Sequence, residues 1–337
     1  MKWLRITWMG LVLVVLLSGC SLQPDSDAPG LRRVGVLVGT DFRLAKLEGL
    51  VDSLPAYGYT PGENIELVVK NAKGCNENLL PLAKELVAEG VEVILTAGRV
   101  ETEAAKIAAR AGQPPILFMG LTGIQEEGLV KDLLRPREGL TGIHNDHAAL
   151  SGKRLELLVK LVPHIQRVLV LYDPYVVPTI EALAAVREAA AKLEVTIVEA
   201  PVSDAAGIAQ VLQEQGPRAD GILLLPSVFL ESEGAHTLVP LASKQGLPVM
   251  GVEHSEEEKG FFAIFGITPY DQGYQAARIL AKILAGQAPE DIPVEPPAVL
   301  KLTVNLDVAE QLGLALEPSM LGYADVLYRE GGGNLEP

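Results

Sequence analysis

Residues 91–119 read VEVILTAGRVETEAAKIAARAGQPPILFM, and this stretch decides the fold. An apolar run over 91–95 ends in Thr96-Ala97-Gly98. An Ala-rich helical pattern opens near Val100, and Pro114-Pro115 introduces a second apolar run over 116–119. Runs that are Val/Ile/Leu-rich throughout, rather than alternating with polar residues, belong to strands buried on both faces. Strand, helix and strand within about thirty residues form one unit of a parallel sheet with a helix laid across it.

The same rhythm continues in both directions. Upstream, 34–38 reads as a strand, and Leu44, Leu47, Leu50, Val51 and Leu54 mark one helical face. Downstream, 168–171, 196–198, 221–225 and 248–250 read as strands, with helical patterns after most of them, as at 180–193. Two such series in tandem predict an α/β chain of two doubly wound parallel-sheet lobes. In open parallel sheets, ligands sit beyond the carboxyl ends of the strands, so two lobes facing at those ends enclose a cleft.

The N-terminus has another character. Lys2 and Arg5 form a basic head, 8–17 is an apolar run too short to span a bilayer, and Leu17-Ser18-Gly19-Cys20 places small residues before a cysteine. This is the pattern of a signal peptide over 1–19 rather than of a transmembrane helix. The tetrapeptide resembles a bacterial lipobox, which implies lipidation of Cys20 and an extracytoplasmic, membrane-anchored protein. Residues 20–30 are rich in Pro, Ser, Asp and Gly and read as a flexible tether of roughly 15–20 Å. Loss of Lys2 and Arg5 on cleavage takes the formal charge from −15 to −17. So acidic a chain is a poor partner for nucleic acid. Both tryptophans, Trp3 and Trp8, precede Cys20, and Cys75 is the only other cysteine. Residues 328–337, with Gly331, Gly332 and Gly333, read as a disordered tail.

Several motifs in the body point to one family. Pro115-Ile116-Leu117-Phe118, Thr122, Gly128-Leu129-Val130 and Gly139-Leu140-Thr141-Gly142-Ile143 come first. Asp173-Pro174 and Leu225-Pro226 follow strands. Pro293-Val294-Glu295, Val304-Asn305-Leu306, Ala309, Leu312-Gly313-Leu314, Pro318-Ser319 and Ala324-Asp325 close the series. In order and spacing they resemble the substrate-binding proteins of ABC transporters, in the family that includes tryptophan/tyrosine-type binding lipoproteins. The resemblance implies a type I periplasmic-binding fold with a three-crossing hinge, lobe one at 31–143 and 267–292, and lobe two at 144–266 and 293–327. It also implies capture of a small solute, often an amino acid, for delivery to an ABC permease. The chain departs from the family pattern at Thr122-Gly123-Ile124, where Thr-Asp-Pro is frequent. A carboxylate that could pair with a ligand ammonium is therefore absent at that position.

An amino-acid ligand needs donors for its carboxylate and acceptors for its ammonium. Candidates at predicted strand ends are Thr40 and Asp41, Thr96 and Gly98, Thr122 and Gly123, Ser227, and Glu253, which precedes His254. Asp41, Glu253 and Asp271 are candidate ammonium partners. The same hydroxyls and carboxylates also serve as ordinary helix caps. Phe42, Tyr175, Phe229 and Tyr270 fall at strand-end loops and favour an aromatic or bulky apolar ligand side chain. His144, Asp146 and His147 lack a metal-site spacing, Glu256, Glu257 and Glu258 read as a solvated helix face, and no cofactor motif is present. The chain carries no P-loop, GxSxG or HExxH, so nothing argues for catalysis. A lipoprotein presenting a ligand to a membrane receptor or kinase fits the same sequence.

Overall fold

A computed structural model of the chain describes residues 31–110, 113–125, 128–176, 178–253, 260–330 and 333–335. The signal segment, the tether, Cys20, and the stretch with His254, Glu256, Glu257 and Glu258 lie outside the described residues. Residues from Leu31 to Pro337 form one compact unit.

The first half builds a sheet from β1 (Arg32–Val38), β2 (Ile65–Asn71), β3 (Val93–Thr96), β4 (Ile116–Leu121) and β5 (Leu140–His144). Its order is β2-β1-β3-β4-β5 and every pairing is parallel. Helices α1 (Leu44–Ser53), α2 (Leu79–Ala88) and α3 (Arg99–Ala108) provide the crossovers. Successive strand residues point to opposite faces, and here both faces are buried. Val34, Val36 and Leu95 pack with Leu50 and Leu54 on one side; Leu37, Ile94 and Phe118 pack with Ala83, Leu86 and Ala105 on the other. This accounts for the continuous apolar runs.

The second half repeats the design. Its elements are α4 (Ser151–Leu161), β6 (Arg167–Tyr172), α5 (Thr179–Leu193), β7 (Thr196–Pro201), α6 (Ala205–Gln215), β8 (Gly221–Leu224), α7 (Val228–Glu231), α8 (Glu233–Lys244), β9 (Val249–Gly251) and β10 (Ala263–Gly266). After β10 comes α9 (Pro269–Leu284), then β11 (Lys301–Asn305), α10 (Leu306–Gln311), α11 (Pro318–Leu321), β12 (Val326–Arg329) and β13 (Gly333–Leu335). The sheet order is β13-β12-β11-β10-β9-β8-β6-β7. Strands β6 to β10 pair in parallel, while β11 runs antiparallel to β10 and β13 antiparallel to β12. The segment read as a disordered tail therefore differs from that expectation. β12 runs on to Arg329, and 333–335 pairs with it, because an edge strand offers unpaired backbone groups that a following segment can take up.

Between the two sheets the chain passes three times. It leaves β5 for α4, returns from β10 to α9, and crosses again near 292–295 on its way to β11. Helix α9 packs on α1, so a late segment completes the first sheet's shell. At the third crossing, His144 N donates to Glu295 O and Glu295 N to Gly142 O, at 2.9 Å each.

Candidate ligand site between the two sheets

The carboxyl ends of both sheets border one cavity of ≈ 300 Å³. The first sheet contributes Phe42, Arg43 and Lys46 after β1, Gly98 and Arg99 after β3, and Gly120, Leu121 and Thr122 at the end of β4. The second contributes Asp173 and Val176 after β6, Ser227 and Phe229 after β8, and Glu253 after β9. Asn145 and His147 from the first crossing, with Ile267 and Gln272 from the second, complete the wall.

The charges on this wall are arranged by lobe. On the first-sheet side, Arg43 Nη1 lies 2.8 and 2.7 Å from the two oxygens of Glu101, which is fully buried and also accepts from Gly39 N at 2.8 Å. A buried carboxylate is expensive unless paired and hydrogen-bonded, and Glu101 is both. The guanidinium lies so close to the α3 N-terminus that a Cβ on Gly98 would sit 1.3 Å from Nη1. Lys46 is buried, and its Nζ donates to Ala97 O at 2.7 Å and Met119 O at 2.6 Å. Burial, followed by repulsion from Arg43, lowers this amine to about 7 against the opposing pull of Glu253 and Glu101.

On the opposite side, burial acts to raise the Glu253 carboxyl. The neighbouring His147 N–H and the cations across the cavity outweigh it and hold Glu253 below the usual carboxylate range. His147 Nε2 stands 3.6 Å from Glu253 Oε1. Its Nδ1 lies 3.0 Å from Arg154 Nη2. Arginine only donates, so Nδ1 accepts and the ring proton sits on Nε2, facing the carboxylate. Burial keeps His147 below its usual range, with Glu253 pulling the other way. Arg154, fully buried, fixes the ring by also donating to His147 O and Phe265 O at 2.7 and 2.8 Å.

Between these walls lies an amide pair. Gln272 Nε2 donates to Asn145 Oδ1 at 3.3 Å. Gln272 Oε1 is buried and has no hydrogen-bond partner among the described residues. The pair presses on Gly120, whose φ of 84° and close neighbours exclude a side chain.

Of the residues singled out from sequence, Phe42, Gly98, Thr122, Ser227, Phe229 and Glu253 line the cavity. Seven others lie outside it. Thr40 precedes a short 3-10 turn at the exposed surface. Asp41 is exposed and binds Lys73 Nζ and Asn71 Nδ2 at 2.8 Å each, and the Lys73 bond lowers its pKa. Thr96 is buried against the Thr102 hydroxyl at 2.7 Å. Gly123 makes a positive-φ turn beside the cavity wall. Tyr175 is 83% exposed, and the Tyr270 hydroxyl donates to Asp52 at 3.0 Å. Asp271 lies in the first turn of α9, which Thr268 caps: Asp271 N donates to Thr268 Oγ1 at 3.0 Å, and its carboxylate accepts from the Thr268 hydroxyl at 2.6 Å and pairs with Lys301 at 2.7 Å.

Lys46, Arg43, Arg99, Asn145, His147, Asp173 and Gln272 line the cavity without having been anticipated from sequence. Lys46 carried a signal: it sits four residues before Leu50 on the buried stripe of α1, where a charge is out of place. Gln272 lies four residues before Ala276 and seven before Ile279 on the buried stripe of α9.

The chain belongs to the ABC transporter substrate binding protein family, whose model matches residues 33–327. Members of this family are solute-binding proteins rather than enzymes; they act outside the cytoplasm and pass a small molecule to a membrane permease. Among the described residues no helix is long and apolar enough to cross a membrane. A conserved domain protein from Vibrio cholerae has a similar structure, with a TM-score of 0.72 and 26% identity over 89% of this chain and 100% of that one. A Streptococcus pneumoniae ABC domain in complex with L-Trp superposes with a TM-score of 0.74 at 22% identity, over 89% of this chain and 100% of that one. The ligand-free, open form of a Clostridium difficile substrate binding protein with adhesive properties gives 0.71 at 23%, over 91% and 98%. These two share the fold. No curated protein matches the chain.

Proposed function

We propose that this chain is a lipid-anchored receptor that captures an amino acid with an aromatic or bulky apolar side chain for an ABC importer. The observation that carries this reading is the polarity of the cavity: ionised Glu253 on one side, Lys46 and the Arg43 guanidinium on the other. A zwitterion matches such an axis, with its ammonium towards Glu253 and its carboxylate towards the Arg43 guanidinium, the Lys46 amine and the N-terminus of α3. Gln272 Oε1 supplies a further buried acceptor for an N–H donor. A neutral sugar offers neither an ammonium for Glu253 nor a carboxylate for the opposite wall. Phe42, Val176 and Phe229 offer apolar surface for a side chain. A volume of ≈ 300 Å³ is at the small end of ligand pockets, about 300–1,000 Å³. The L-Trp held by the Streptococcus pneumoniae domain is of the same ligand class.

Anchoring through Cys20 follows from the sequence pattern alone. Membrane fractionation of Cys20→Ala checks it: the expected result is release of the protein from the membrane, and retention contradicts it. For the ligand, isothermal titration with each of the twenty amino acids is the test. Binding of one aromatic or bulky apolar member at 1:1 supports the reading, and no heat with any of the twenty rejects it.

A further inference from the structure

We propose that Lys46 is the group that receives the ligand's carboxylate, and that it takes up a proton from solvent as the ligand binds. The inference rests on the amino-acid reading for the presence of a carboxylate and for nothing else.

Lys46 lines the cavity yet is only 6% exposed. Its Nζ already donates to two carbonyls, Ala97 O and Met119 O, near the ends of β3 and β4. A neutral amine has two N–H bonds, and here both are used. An ammonium has three, and the third requires another acceptor. Among the described residues no carboxylate forms an ion pair with Nζ. Glu101, the nearest candidate on α3, is engaged by Arg43 and Gly39 N. Glu253 and His147 face Lys46 across the cavity, and Arg43 repels it from its own side. Helix α9 packs on the Lys46 backbone at Gly273, and its nearby titratable groups are occupied: Asp271 by Lys301 and Thr268, Tyr270 by Asp52.

The protein's own groups around Nζ therefore satisfy the neutral amine and leave the ammonium one acceptor short. Without a ligand, burial and Arg43 hold the amine at about 7. An entering carboxylate supplies both the third acceptor and the counter-charge, and so raises the proton affinity of Nζ. At and above neutral pH the protonated fraction rises on binding, and the proton comes from the buffer. The same geometry selects against amines that lack a carboxylate. These bring a cation towards Arg43 and provide no acceptor for Nζ.

The test reads the Lys46 side chain directly. The full chain, labelled with 15N,13C-lysine, is titrated by NMR from pH 5 to 10, and the Lys46 signal is assigned by its loss in Lys46→Met. Titrations are run without addition and with L-tryptophan, L-leucine, 3-phenylpropanoate or tryptamine. The expected result is a midpoint that rises by at least about one unit with a carboxylate-bearing probe and does not rise with tryptamine. Proton uptake, read as a buffer-dependent binding heat, disappears in Lys46→Met. A midpoint that stays put while an amino acid binds overturns this inference and leaves the amino-acid reading standing. A shift with 3-phenylpropanoate when no amino acid binds does the reverse. No shift with any probe, or an equal rise with tryptamine, also overturns it.

Discussion

Replacing Gly273 with alanine tests the packing that holds Lys46 in the cavity wall. Helices α1 and α9 meet at two glycines. A Cβ on Gly273 would lie 1.7 Å from Lys46 O, and one on Gly49 would lie 2.0 Å from Tyr270 O. Both contacts are to backbone, so no side chain can swing aside. Since real Cβ atoms stay beyond 3.0 Å, the helices must separate by roughly 1.3 Å at Gly273. They cannot do so without loosening the contacts of Leu50, Leu54, Ile279 and Leu280, all fully buried in the same cluster. Overpacking of this kind costs about 1–3 kcal/mol. Gly207 provides the control, because a Cβ there meets nothing closer than 3.4 Å at Asp204. Gly207→Ala lies in the first turn of α6 and is expected to be neutral or to stabilise by up to about 1 kcal/mol. The assay is urea unfolding, read as a shift in midpoint at constant slope. If Gly273→Ala unfolds at the same urea concentration as Gly207→Ala, the close approach of α1 and α9 is wrong.

Other perturbations address the charges. Below about pH 7 both folded and unfolded chains hold the Lys46 proton, and the folded state bears the cost of burying the charge. Between about 7 and the ordinary value of 10.5 only the unfolded chain holds it, so Lys46 makes stability rise with pH, by up to roughly 5 kcal/mol. The stability difference between Lys46→Met and the parent chain is therefore expected to favour the variant most near pH 6 and to shrink by pH 10; parallel profiles contradict this. Glu101→Gln leaves Arg43 beside a neutral amide and is expected to cost about 3 kcal/mol in urea unfolding, since breaking a buried pair exposes the uncompensated partner. A loss within 0.5 kcal/mol, ordinary for surface sites, shows the pair to be dispensable. Glu253→Gln is expected to weaken amino-acid binding by about 30-fold or more while sparing 3-phenylpropanoate. Equal effects on both probes assign Glu253 no role towards an ammonium.

The strands of the two sheets were legible where both faces are buried, because each residue of such a strand is apolar. Residues 34–38, 93–95 and 168–171 are of this kind. β2 was missed: as the edge strand it leaves Val69 and Lys70 partly exposed, so its pattern is mixed. β4 runs past the apolar stretch to Leu121 through an irregularity at Gly120, which no propensity signals. Site residues in strand-end turns, such as Gly98 and Ser227, followed from the general rule for parallel sheets. That rule does not separate cavity from surface. Asp41 and Tyr175 sit at strand ends too, but their side chains point to solvent, and the Asp271 carboxylate is engaged by the Thr268 hydroxyl and Lys301. His147 and Asn145 depend on where the first crossing passes, which is a property of tertiary packing. Lys46 and Gln272 required reading a polar residue on an apolar helical stripe as a signal rather than as noise.

The central claim is that the cavity between the sheets holds an amino acid along a Glu253-to-Lys46 axis. A crystal structure of the chain with its tightest-binding amino acid tests this most directly. The expected result is the ligand in the cavity lined by Phe42, Phe229 and Gln272, with its ammonium against Glu253 and its carboxylate within hydrogen-bond reach of Lys46 Nζ. A ligand bound elsewhere, or one lying in the cavity with its carboxylate turned away from Lys46, contradicts it.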